Sequence, residues 1–156
     1  MLLPVLNFPS YKIKTLSAPD EGQSAKVFDV IRKKYVALIP EEWVRQHIIH
    51  YLVDAKKVPK SLISVEKKLK VNELVRRTDV VIYNKSLKPV LLAECKAPQI
   101  EINQKVFDQA ARYNLSLNVH YFVLTNGLQT ICCTMDHEKQ QYDFLEEIPE
   151  YDLMIS

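Results

Sequence analysis

Glycine is nearly missing from this chain, which has only Gly22 and Gly127 in 156 residues. Two isolated glycines cannot build a phosphate-cradling loop, and no GxxxxGK[ST] element occurs, so a nucleotide-driven motor is not expected within it. Cysteine is scarce as well. Cys95, Cys132 and Cys133 are odd in number, and two are adjacent, which argues against a disulfide framework. They read as small buried apolar residues in a reducing compartment. No apolar run approaches the ~20 residues of a membrane span. The opening Met1-Leu2-Leu3-Pro4 also lacks the basic and apolar regions of a secretion signal, so a cytoplasmic protein with no membrane partner is expected. Nor is there a surplus of one charge, since 21 Lys and Arg face 19 Asp and Glu for a formal net of +2.

What is present describes an ordinary globular domain, 47% apolar and 26% charged. The charge is unevenly placed. Between Lys56 and Arg77 eight basic residues stand against Glu66 and Glu73, while from Asp136 to Ser156 only Lys139 offsets seven acids. Three segments follow: an extended Pro-punctuated arm over 1–23, a folded domain over 24–146 and an acidic tail over 147–156. The tail is expected to be disordered, to mask the basic groove or to dock a partner.

Short strands are predicted at 26–29 and 35–38, around the basic turn Arg32-Lys33-Lys34. Pro40, with Glu41 and Glu42 behind it, opens a helix to about Val53, whose core arc is Val44, Ile48, Tyr51 and Leu52. A strand over 61–71 follows. Asn103 is a plausible N-cap for a helix over 104–117, with Val106, Ala110, Tyr113 and Leu117 as its packed stripe. Strands at 120–125, 129–135 and 141–145 close the chain, the first parallel to the strand before the helix.

The informative stretch lies between. Arg76 to Tyr83 and Pro89 to Pro98 are apolar runs around the polar turn Asn84-Lys85-Ser86-Leu87-Lys88, which predicts an antiparallel hairpin. Alternation puts Glu94 and Lys96 on one face and Cys95 on the other. If Tyr83 pairs with Val90, Asp79 stands opposite Glu94, and two carboxylates that close repel unless a cation intervenes. Two hard oxygen ligands with no His or Cys suit Mg²⁺, with Mn²⁺ as a substitute. The same acids on a solvated edge strand would need no ion. The basic segment entering Asp79, with Lys67, Lys68, Arg76 and Arg77, would draw a phosphate backbone toward the pair.

Asp79, then Glu94-Cys95-Lys96, resembles the PD-(D/E)XK nuclease signature, with Thr78 where Pro often stands. Gln109-Ala110-Ala111-Arg112-Tyr113 resembles the QxxxY element that follows it in the amino-terminal nuclease domain of type I restriction enzyme R subunits. Arg32-Lys33-Lys34-Tyr35-Val36 and Pro40-Glu41-Glu42-Trp43-Val44-Arg45-Gln46 look like the opening of that domain. The resemblance covers roughly residues 25 to 130. It implies a restriction-endonuclease-like α/β fold, three layers α/β/α around a central mixed sheet. The implied activity is a divalent-metal-dependent DNA endonuclease acting on double-stranded DNA, with any motor or specificity subunit on a separate chain. Asp79, Glu94 and the Cys95 carbonyl would hold Mg²⁺, and Lys96 would orient or deprotonate the attacking water. Gln109 and Tyr113 would hold a phosphate oxygen or steer Lys96. Glu42 would assist from the first helix, with Glu41 the alternative. A non-cleaving DNA- or subunit-binding relative and a stand-alone junction-resolving nuclease are the other functions the same residues allow.

Overall fold

The long hairpin predicted around Asn84 anchors the architecture. The computed structural model describes residues 3–156, so the first two residues of the expected arm lie outside it. Strands β1 (Thr15–Leu16), β2 (Lys26–Asp29) and β3 (Lys34–Ala37) form a small antiparallel sheet. Helix α1 (Pro40–Asp54) and a single 3-10 turn (Lys60–Leu62) precede a six-stranded sheet of β4 (Ile63–Val71), β5 (Leu74–Tyr83), β6 (Pro89–Cys95), β7 (Tyr121–Thr125), β8 (Thr130–Asp136) and β9 (Gln141–Leu145). Its spatial order follows the chain, and all neighbours are antiparallel except β6 and β7. Helix α2 (Gln104–Leu115) makes the crossover between those two parallel strands, as a parallel pair requires.

Alternation along the central strands sorts the core into two clusters. Val80, Ile82, Leu91, Ala93, Cys95, Val123 and Cys132 pack with Val44, Ile48, Ile49 and Leu52 of α1. Val81, Leu92, Phe122, Leu124 and Cys133 pack with Phe107, Ala110 and Ala111 of α2. The sheet therefore has one long helix on each side, which makes this a mixed α/β protein.

Several elements differ from their sequence-based outline. The register of β5 on β6 is the expected one at Val80–Ala93, but it slips after Ile82, so Tyr83 pairs with Pro89 rather than Val90. Asn84 Oδ1 accepts from the Ser86 and Lys88 amides and closes a turn one residue shorter than foreseen. Asn103 caps α2 as predicted, accepting from the Val106 amide at 2.9 Å. The buried stripe of that helix is Phe107, Ala110, Ala111 and Asn114, rotated by one position, which leaves Tyr113 40% exposed.

The terminal segments pack instead of trailing. Leu6 is buried, the Trp43 indole donates to the Pro4 carbonyl at 3.1 Å, and the Phe8 ring lies 5.5 Å from that of Tyr51. Helix α1 is thereby covered on its outer side as well, and its His47, Gln46 and Arg45 are buried along with the apolar arc. At the other end Ile148, Tyr151 and Met154 enter the α1-side core, where a short turn of helix, α3 (Tyr151–Met154), forms. The Tyr151 hydroxyl donates to the Tyr83 carbonyl at 2.9 Å. Apolar residues at every third position of an acidic segment make this possible: the acids stay outside while three side chains bury.

Candidate active site

Strand β6 ends at Cys95, and the hairpin sets β5 beside it. The Cys95 amide donates to Asp79 Oδ2 at 2.7 Å, which fixes that carboxylate at the strand's end. The three cysteines are buried and reduced. Burial pushes the Cys132 and Cys133 thiols up to about 12, and burial also raises Cys95 well above its ordinary value, so packing is their role. Lys96 Nζ stands 4.0 Å from Glu94 Oε2. Glu94, Lys96, Val106, Gln109, Ala110 and Tyr113 line one cleft of about 210 Å³. Four residues chosen from sequence, two on β6 or just after it and two on α2, thus share one concavity.

The acids around this cleft disfavour one another's charge. Burial raises the Asp79 carboxyl above its ordinary value, against the Cys95 hydrogen bond and the charges of Arg45 and Lys96, and Glu66 adds to the rise. Glu94 is raised by burial, relieved by Lys96 and pushed further by Asp79 and Glu41. Glu41 is raised by burial and by Asp79. Three partly buried carboxylates in mutual contact by charge, with Lys96 and Arg45 as the cations they feel, leave negative charge to be neutralised.

Glu42, the first choice from sequence, is elsewhere. Arg32 reaches over from the β2–β3 turn to Glu42 Oε1 at 2.7 Å, and the Gln46 amide takes Oε2 at 3.1 Å. Consecutive helical residues point about 100° apart, and it is Glu41 whose charge acts on Asp79 and Glu94. Glu42 belongs to a partly buried network in which Arg32 also binds Asp29 and the exposed Glu66, while Arg45 lies 3.3 Å from Glu42 and 3.4 Å from Glu66. Asp29 with Arg32, and Glu42 with Arg45, stand three apart in the chain, but nothing in the linear order joins these two pairs to each other or to Glu66.

Glu66 is also a backbone exception within β4. It has φ 53, and pairing skips it between Val65–Val80 and Lys67–Thr78, opposite Asp79. Beyond it Leu69 packs with the α2-side cluster, and its cross-strand partner Arg76 stacks over Tyr113 of α2 at 4.6 Å. Lys67 and Lys68 are exposed on the outer hairpin, and Arg77 is exposed with its guanidinium 3.5 Å from Glu66.

As a metal site the donor set is open. Among the described residues no three His, Cys, Asp or Glu side chains form a ready-made cage. Mg²⁺ does not require one, since it binds through one or two carboxylates and completes its shell with water and substrate phosphate. Asp79 and Glu94, crowded by a third acid, fit that pattern.

A mixed-sheet α/β domain with an acidic, lysine-bearing cleft at the end of a central strand is the class these features define. The chain belongs to the family described as type I restriction enzyme R protein N terminus, whose model matches residues 40–149. Among solved structures it is similar to a fragment described as an HsdR subunit of a type I restriction enzyme from Vibrio vulnificus YJ016. The two share 16% identity at a TM-score of 0.52 over 73% of this chain, which supports the fold. This chain spans 24% of that one's length. Comparison with curated proteins finds no match. No helix among the described residues is long and apolar enough to cross a membrane.

Proposed function

We propose that this chain is the metal-dependent endonuclease part of a type I restriction enzyme R subunit. It would have a restriction-endonuclease-like three-layer fold of the PD-(D/E)XK type and act on double-stranded DNA in the cytoplasm beside separate motor or specificity components. The observation that carries the reading is the single cleft shared by Glu94, Lys96, Gln109 and Tyr113, with Asp79 tied to the Cys95 amide at its edge.

Asp79, Glu94 and the Cys95 carbonyl would hold Mg²⁺, which when bound supplies Lewis-acid polarisation of the phosphate and an acidified water. Lys96, beside Glu94 in the cleft, would orient the nucleophile and neutralise charge gathering on the phosphate oxygens. Gln109 offers amide donors and Tyr113 a hydroxyl to a non-bridging oxygen. Glu41 takes the assisting place first given to Glu42, since its charge reaches Asp79 and Glu94 while Glu42 is held by Arg32. Lys67, Lys68, Arg76 and Arg77 grip flanking phosphates without reading sequence.

The test is nicking of supercoiled plasmid with Mg²⁺ by the purified chain and by Lys96→Ala. Cleavage that falls about 10²–10⁴-fold in the variant is expected. Diffraction from Mn²⁺-soaked crystals should show density between Asp79 and Glu94. Wild type that binds DNA but neither cuts nor takes up Mn²⁺ would make the chain a non-cleaving binding module instead.

A further inference from the structure

Helix α2 carries cations that the proposed hydrolytic chemistry does not use. Lys105, Gln109 and Arg112 recur at i, i+4 and i+7 and so share one exposed face. With Gln104 and Asp108 they line a shallow hollow of about 580 Å³. Gln109 borders both this hollow and the Glu94–Lys96 cleft, so the two are continuous along the helix.

The one acid in the hollow is engaged locally: Asp108 Oδ1 accepts the Tyr142 hydroxyl at 2.6 Å and the Gln104 amide at 2.8 Å. Among the described residues neither Lys105 nor Arg112 makes a salt bridge. On the far rim, Arg76 is likewise without a salt bridge, and its guanidinium is held over Tyr113 at 4.6 Å with its Nε buried. Unpaired cations thus flank the cleft on two sides, while the surplus acids sit in the last two strands and the carboxy-terminal segment.

We propose that the Lys105–Arg112 face of α2 binds the sugar-phosphate backbone of duplex DNA, on the opposite side of the cleft from Arg76. Seven residues of helix span about 10.5 Å, close to three nucleotides at 3.4 Å of axial rise, so the face matches at least two phosphates of one strand. The duplex as ligand rests on the nucleolytic reading above, but its test reads binding alone.

Affinity for a fluorescent duplex of about 20 base pairs is measured by anisotropy in EDTA from 50 to 200 mM KCl, for wild type, Lys105→Ala with Arg112→Ala together, and Lys139→Ala as a control. The double variant is expected to bind about 10-fold more weakly. Its slope of log affinity against log salt should be shallower by roughly 1.8, or about 0.9 per lost phosphate contact, with Lys139→Ala unchanged. The charge-conserving pair Lys105→Arg with Arg112→Lys should restore the slope, which a folding defect would not allow. An unchanged slope in the double variant, or no duplex binding by wild type at 50 mM KCl, overturns the proposal. Binding that behaves as expected without plasmid nicking overturns only the hydrolytic reading, and nicking with an unaltered slope overturns only this one.

Discussion

Glu94 shows how a functional carboxylate weighs on the folded state. Burial first, then Asp79 and Glu41, raise its folded value above that of the unfolded chain. The folded protein therefore binds this proton more tightly than the unfolded one. Stability is undiminished below the ordinary carboxylate range, falls as pH rises through the raised folded value, and carries the full penalty above it. Glu94→Gln removes the penalty at neutral pH. In EDTA its Tm at pH 7 should exceed that of wild type by about 2–4 °C, the shift that ~1 kcal/mol gives at this size. The difference should shrink as pH falls and vanish below the ordinary carboxylate range, where the residue is neutral in both folded and unfolded chains. A scanning calorimetry series across that range checks it, and a variant less stable at every pH would show that the charge is not penalised. The sequence announced Asp79, Glu94 and Lys96 because charges interrupt apolar strands, whereas choosing between Glu41 and Glu42 needed the position of Arg32.

Besides apolar contact, the small sheet, α1 and β4 are joined by the Asp29–Arg32–Glu42–Glu66 network. Asp29 is fully buried. Burial opposes its charge, yet hydrogen bonds from the Arg32 and Ile31 amides and from the Arg32 side chain hold its carboxyl below the ordinary value. Arg32→Ala would strand Asp29 and Glu42 without their shared cation. A loss of about 3–5 kcal/mol in urea unfolding is expected, as for other broken buried pairs. Arg32→Lys should recover only part of it, because one ammonium cannot bridge as a guanidinium does. Local pattern was enough to place α1, α2 and nearly every strand, since capping and alternation are properties of neighbouring residues. It did not reveal the positive φ at Glu66 or the rotated stripe of α2.

Across the whole molecule, both chain ends are part of the core. Tyr151 is buried, and it ties the carboxy-terminal turn to the main hairpin through Tyr83 and to the segment after α1 through the Lys56 carbonyl. Tyr151→Ala should therefore cost about 3–5 kcal/mol, and Tyr151→Phe about 0.5–1.5 kcal/mol, measured by chemical denaturation. Indifference to both would mean that the segment behaves as the free acidic tail its composition suggests. The two-sided charge distribution also belongs to this scale, with the lysine-rich hairpin and the α2 face on either side of the cleft and the surplus acids in the last two strands and the carboxy-terminal segment.

By itself the sequence determined the type and order of the two main helices and nearly every strand, the hairpin and its register from Val80 to Ile82, and the identity of the charged groups at its end. Those follow from the period of apolar residues and from the chemistry of each side chain. Only the tertiary structure decided that Gln109 and Tyr113 close over Glu94 and Lys96, that Glu41 rather than Glu42 joins them by charge, and that both termini fold inward. Each of these depends on contacts between residues far apart in the chain, whose free energies no local pattern encodes.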